Sequence, residues 1–244
     1  MTTLSYRAIL FDLDGTLVDS IHDIAAAANA MLVQLGFQPL NQDLIATFVG
    51  KGIDALIWQC LLEVVAEEAP SPELYQQGRA AFAQAYQKQL ATAQTALYPK
   101  VRTGLQAFQD SGAQLAIVTN KPLANTQVIL KQTGLDSFFT EVVGGDSCEE
   151  KKPHPLPLLY ACAQMNVEPA QALMIGDSIN DVQAARAAGI DVLVLPYGYN
   201  QGRPVSELEA NAIVPSIEDA FAWALDRTRH AHEATGASQT QQSD

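Results

Sequence analysis

From Tyr98-Pro99 to Leu195 the chain repeats one pattern, a short apolar run followed by a stretch with helical spacing. The apolar runs cover 115–118, 141–143, 173–175 and 192–195, and helices are expected near 123–133, 156–165 and 179–188. Such alternation calls for right-handed βαβ crossovers and a parallel sheet. An earlier run, Ala8-Ile9-Leu10-Phe11, has the unbroken apolar character of a strand buried on both faces. Everything between it and the repeating region reads as helix. Ile21, Ile24, Ala28, Met31, Leu32 and Leu35 share one helical face, with Ser20 as N-cap and Gly36 as stop. Asn41 caps a second short helix ending near Gly50-Lys51-Gly52, and Ile53, Leu56, Ile57, Cys60, Leu61 and Val64 mark a third. Ser71-Pro72-Glu73 supplies cap, N1 proline and acidic first turn for a fourth, running to about Ala93. The expected architecture is an α/β, Rossmann-like parallel-sheet core over 1–18 and 94–229, interrupted after its first strand by a helical insertion over 19–93. The polar stretch 230–244, rich in Gln, Ser and Thr, is expected to be an unstructured tail.

With 244 residues, 48% of them hydrophobic, the chain can bury a substantial core. Its net charge of -13 argues against a nucleic-acid partner. The same charge repels anionic small molecules at long range, so a phosphate site here must concentrate cations or a metal locally. No apolar stretch approaches bilayer length, no secretory leader is expected, and no membrane partner is implied. Three cysteines, Cys60, Cys148 and Cys162, show no paired spacing and point to a reduced, cytoplasmic protein.

The chemistry-bearing residues cluster where strands are expected to end, the place where open parallel sheets bind ligands. After the first strand, Asp12-Leu13-Asp14-Gly15-Thr16 places two carboxylates on one side of an extended segment. Close carboxylates repel unless one is protonated or a cation intervenes, and either solution suits phosphoryl transfer. An acidic turn or a helix cap is the alternative for this motif taken alone. Val118-Thr119-Asn120-Lys121 offers a hydroxyl and backbone N–H groups for phosphoryl oxygens, or merely the cap of the next helix. Lys151-Lys152-Pro153-His154-Pro155 holds a lysine doublet beside prolines in a chain with only 14 basic residues, and reads as a cation facing phosphate, with His154 structural. Gly176-Asp177-Ser178-Ile179-Asn180-Asp181 sets two acids at a helix start, a pattern for Mg²⁺ over zinc or for N-capping. Four strand ends with complementary chemistry weigh more than any one of them.

Taken together, the intact DxDGT at 12–16, the hydroxyl at Thr119, the lysine at 152 and GDSxxD at 176–181 resemble the phosphatases of the haloacid dehalogenase superfamily. The resemblance covers nearly the whole chain except the tail, and it casts the insertion as a helical cap. It implies Asp12 as nucleophile and Asp14 as general acid and base, and Thr119, Asn120 and Lys152 as holders of the phosphoryl group. It implies Mg²⁺ held by Asp12, Asp14 through its carbonyl, and Asp177, with Asp181 close behind. The strings FDLDGTLVDS, VTNKP, KKPHPLPL, GDSIND and Tyr197-Gly198-Tyr199-Asn200 resemble the phosphoglycolate phosphatase branch, which implies 2-phosphoglycolate as substrate. Lys51 and Arg79 are then candidate cap cations for the substrate carboxylate. A small phosphorylated metabolite is the expected partner, and either a monomer or a homodimer suits the sequence. Other small phosphates (nucleotide, pyrophosphate, sugar phosphate), a phosphomutase and a non-catalytic binding protein are the competing readings. Thr16 and the full set of acids weigh against the last two.

Overall fold

The computed structural model describes residues 4–66, 68–92 and 95–240, with side chains through His230. The first strand, β1 (Ala8–Phe11), is fully buried, as its unbroken apolar run requires. It pairs in parallel with β4 (Gln114–Val118) on one side and β6 (Ala172–Gly176) on the other. Outward from these lie β5 (Glu141–Val143), β7 (Asp191–Val194) and the short β8 (Ala212–Ile213), giving the parallel order β5-β4-β1-β6-β7-β8. Alternate residues divide between the faces. Ile9, Phe11, Ile117 and Ile175 join one core cluster, whereas Ala8, Leu10, Val118 and Met174 join the other.

Helices α5 (Val101–Asp110) and α9 (Ile217–Thr240) contribute to the first cluster, where Phe108 sits edge-on to Phe11 and Phe221. The second is covered by α7 (Leu156–Gln164) and α8 (Ile179–Ala188). Helix α6 (Leu123–Thr133) connects β4 to β5.

Between β1 and α5 lies a helical block. It contains α1 (Ile21–Gln34), α2 (Gln42–Ala46), α3 (Ile53–Leu62) and α4 (Pro72–Thr92), packed chiefly as α1 against α4. Asn41 caps α2 by accepting from Asp43 N–H at 2.7 Å, and Ser71 accepts from Leu74 N–H at 3.2 Å at the start of α4. The second helix stops at Ala46, short of the expected end near Gly50. Where the chain leaves and re-enters the core, β2 (Val18–Asp19) pairs antiparallel with β3 (Ala96–Leu97). This ribbon and β8 carry weak signals in sequence, whereas α5 places Val101, Gly104, Leu105 and Phe108 on one buried face at helical spacing and, like α9, is an element the expected architecture left out. Two-residue strands have no period to read, and α5 starts after a left-handed Lys100 (φ 65°) without a side-chain cap. The stretch expected as an unstructured tail begins inside α9, which continues to Thr240. Its Ala-containing, proline-free sequence tolerates helix, and residues 241–244 lie outside the described part.

Candidate active site

The sheet brings the C-terminal ends of β1, β4 and β6 side by side, and the polar motifs follow these ends directly. Asp12 continues the line of β1, its N–H donating to the Ile175 carbonyl at 3.0 Å. Leu13 then turns into the core, so that Asp12 and Asp14 flank it on the opposite side. Gly15, at φ +85°, makes the turn that follows, and a Cβ there would overlap the Asp177 carboxylate. Gly198 approaches the same carboxylate from the other side under the same restriction.

One buried lysine organises the acids. Lys152 Nζ lies 3.0 Å from Asp12 Oδ1 and 2.6 Å from Asp181 Oδ1. Asp181 is fully buried and its other oxygen accepts from Ser178 N–H and Oγ, closing a capping box on α8. Asp177 accepts from Thr16 Oγ1 at 2.8 Å and from Tyr199 N–H at 2.6 Å. Asp12, Asp177 and Asp181 each offer a carboxylate oxygen within 4.8 Å of the other two. Three carboxylates and the one ammonium of Lys152 sum to a formal charge of -2 in a largely buried volume. An all-oxygen donor set with that charge fits a hard divalent cation. The electrostatics agree: burial, opposed by Lys152 and reinforced by Asp181, raises the Asp12 carboxyl to about 6. Burial and then the Asp181 and Asp12 charges raise Asp177 well above the usual carboxylate range.

Asp14 belongs to a second pair. Both its oxygens lie 2.9 Å from Lys121 Nζ, and Ser20 Oγ donates to Oδ1 at 2.5 Å. Ser20 does sit at the start of α1, but its hydroxyl is turned to Asp14 and makes no helix cap. Burial works against the Lys121 charge, yet the Asp14 carboxylate more than offsets it and holds the ammonium well above its ordinary range.

Thr119 is buried at the end of β4 beside Asp12, its Oγ1 accepting from Lys121 N–H at 3.2 Å. Asn120 has a different employment. Its amide donates to the carbonyls of Gly50 and Lys152, both at 2.8 Å, and its Oδ1 accepts from Lys152 N–H at 3.0 Å. It thereby fixes the lysine loop and ties the helical block to the sheet. His154 accepts from Leu156 N–H and is exposed, in keeping with a structural place.

Above these groups is a narrow cavity of about 50 Å³. Asp12, Asp14, Thr119 and Lys121 form its floor, and Ile24, Val49, Ile53, Leu56, Phe82 and Tyr86 form an apolar wall from the helical block. Lys51 is exposed and is not among the lining residues. Arg79 pairs with Asp54 at 2.9 Å, and both are half-exposed. The structure therefore gathers Asp12, Asp14, Thr119, Asn120, Lys152, Asp177 and Asp181, and leaves Lys51 and Arg79 outside the cavity. Sequence reasoning missed Lys121 and Tyr86 as parts of the site, and marked Tyr199 only as part of the Tyr197-Gly198-Tyr199-Asn200 string. Lys121 was readable as the next residue in the Thr119-Asn120 string. Tyr86 carries no local signal.

Tyr199 joins the site to the ribbon. Its hydroxyl accepts from Ser20 and Ile21 N–H at 3.1 and 3.2 Å and donates to Asp19 Oδ1 at 2.6 Å. A tyrosine from the far side of the chain thus serves the first amides of α1.

No helix among the described residues is long and apolar enough to cross a membrane. Residues 9–195 match the sequence profile of the haloacid dehalogenase-like hydrolases. A phosphoglycolate phosphatase of Nitrosospira multiformis is 45% identical over 89% of this chain and 95% of its own, and one of Thiobacillus denitrificans is 42% identical over the same shares. The crystal structure of a predicted phosphoglycolate phosphatase from Haemophilus somnus superposes with a TM-score of 0.85 at 35% identity, covering 89% of this chain and 97% of that one. Profile, relatives and fold agree with the strand-end acids, and the chain belongs to the haloacid dehalogenase-like hydrolase family.

Proposed function

We propose that the protein is a Mg²⁺-dependent phosphomonoesterase that hydrolyses 2-phosphoglycolate to glycolate and phosphate through an aspartyl phosphate on Asp12. The observation that carries this reading is Asp12 itself, at the end of the central strand, 3.0 Å from a buried lysine and lining the cavity beneath the helical block. A carboxylate oxygen of Asp12 attacks phosphorus, the bond to the ester oxygen breaks, and Asp14 gives that oxygen a proton. Asp14 then takes a proton from water, whose oxygen attacks the acyl phosphate and releases phosphate with Asp12 restored. Lys152 and the hydroxyl of Thr119 hold the phosphoryl oxygens, and Asn120 keeps Lys152 in place through its backbone. Asp12, the Asp14 carbonyl and Asp177 would hold Mg²⁺, with Asp181 behind them spent on Lys152 and Ser178. The bound ion would supply charge neutralisation for the phosphoryl group in an otherwise acidic site.

The substrate is read from the relatives, which are phosphoglycolate phosphatases, and the narrow cavity with its apolar wall suits a small leaving group. The helical block over 19–93 serves as the cap that excludes bulk water during the reaction. Buried thiols at Cys60 and Cys162 fit a reducing compartment, the cytoplasm. Phosphate release from a panel of small esters, with Mg²⁺ and with EDTA, tests the proposal. A preference for 2-phosphoglycolate that EDTA abolishes is the expected outcome. Turnover that persists in EDTA removes the metal role, and equal turnover of nucleotides or sugar phosphates removes the substrate.

A further inference from the structure

The wall of the cavity contains one anomaly. Tyr86 projects from α4 among Ile53, Leu56 and Phe82, is 2% exposed, and its hydroxyl has no hydrogen-bond partner. Buried hydroxyls are almost always satisfied, and leaving one bare costs free energy that an apolar residue would not incur. Phenylalanine would pack equally well here, because the ring already stacks on Phe82 at 5.6 Å between centroids. The packing of the ring therefore does not require the hydroxyl, whose polar neighbour is the Lys121 ammonium.

Its neighbour shows which chemistry it fits. Lys121 Nζ lies 5.1 Å from the Tyr86 ring centroid and also lines the cavity. Among the described residues Lys121, which is paired with Asp14, is the one cation on the lining, and Lys152 lies beneath it, paired with Asp12 and Asp181. A neutral leaving group would fill the apolar wall and still leave the Tyr86 hydroxyl bare. A short leaving group bearing a carboxylate would give that hydroxyl an acceptor and bring negative charge toward Lys121.

We propose that the Tyr86 hydroxyl, beside Lys121, is the specificity determinant that recognises a carboxylate on the substrate's leaving group. This inference rests on the hydrolase reading above and assigns the recognition of the acid end to the wall of the helical block, with Lys51 and Arg79 outside it. Lys121 remains a cation throughout and takes no part in bond breaking.

The test compares wild type and Tyr86→Phe on two esters of equal length, 2-phosphoglycolate and ethyl phosphate, in the same Mg²⁺ buffer. Ring packing survives the substitution, so the melting temperature is expected to stay or to rise slightly. Loss of one hydrogen bond to a charged acceptor is expected to lower kcat/KM on 2-phosphoglycolate by about 10- to 100-fold. On ethyl phosphate the change should stay within about twofold. An equal loss on both esters, or none on either, overturns the assignment. A wild type that does not turn over 2-phosphoglycolate removes the proposed activity and the subsite with it. Wild-type turnover with no ester-dependent effect of Tyr86→Phe removes the subsite alone.

Discussion

Asp12 is held in an environment that favours its protonated form, and this has two measurable consequences. Its carboxyl, raised to about 6 from an ordinary 3.8, contributes most to stability at pH below the unfolded value and loses that contribution as pH rises through about 6. A divalent cation must displace the same proton, so its binding strengthens over that interval. The increase in melting temperature on adding Mg²⁺ is therefore expected to be larger at about pH 7.5 than at about pH 5. A pH-independent increase would show that the ion binds away from the buried acids. Asp12→Asn should lower turnover at least about 10⁴-fold while the metal-free protein melts at the same temperature or higher, because a strained charge has gone. At this scale much of the site was legible: Asp12, Asp14, Thr119, Lys152, Asp177 and Asp181 stand in short strings at strand ends. The cavity wall was not. Tyr86 lies in a helix whose sequence gives no sign of which side chain faces the sheet, and Lys51 drew attention through a charge that the fold leaves in solvent.

At the level of elements, the strands and the crossover helices α6 and α8 agree with periodicity almost residue for residue, since buried parallel strands and amphipathic helices write themselves into local sequence. The antiparallel ribbon does not, because its stability comes from partners far away. Tyr199 is the clearest of these: 180 positions separate it from Asp19, whose carboxylate accepts a hydrogen bond from its hydroxyl. Sequence marks the Tyr197-Gly198-Tyr199-Asn200 string, yet its mechanical role appears only once the loop after β7 is seen lying against the start of α1. Tyr199→Phe would strip the Ser20 and Ile21 amides of their acceptor and Asp19 of its donor. A destabilisation of about 1–3 kcal/mol in urea unfolding is expected. An unchanged midpoint would mean that water takes over all three bonds.

For the whole molecule the dominant fact is a net charge of -13 around a site built for an anion. Long-range repulsion slows the approach of such a ligand, while Lys152 and Lys121 act only at close quarters. Raising ionic strength from about 20 to about 150 mM at fixed Mg²⁺ should thus increase kcat/KM, the reverse of what basic phosphate-binding proteins show. A decrease in a salt titration would place the effective field of the site itself in control. The pairing of Val18 with Leu97 and of Asp19 with Ala96 bears on the molecule in another way. Exit and return of the chain lie side by side, so the loop that the helical block forms is already closed at its base. Its length then matters little to the stability of the sheet, because closure entropy grows only slowly with length. The block hangs from the core as a pendant on a two-strand clasp, and blocks of other sizes could be spliced at the same clasp, giving new leaving-group chambers above an unaltered set of acids.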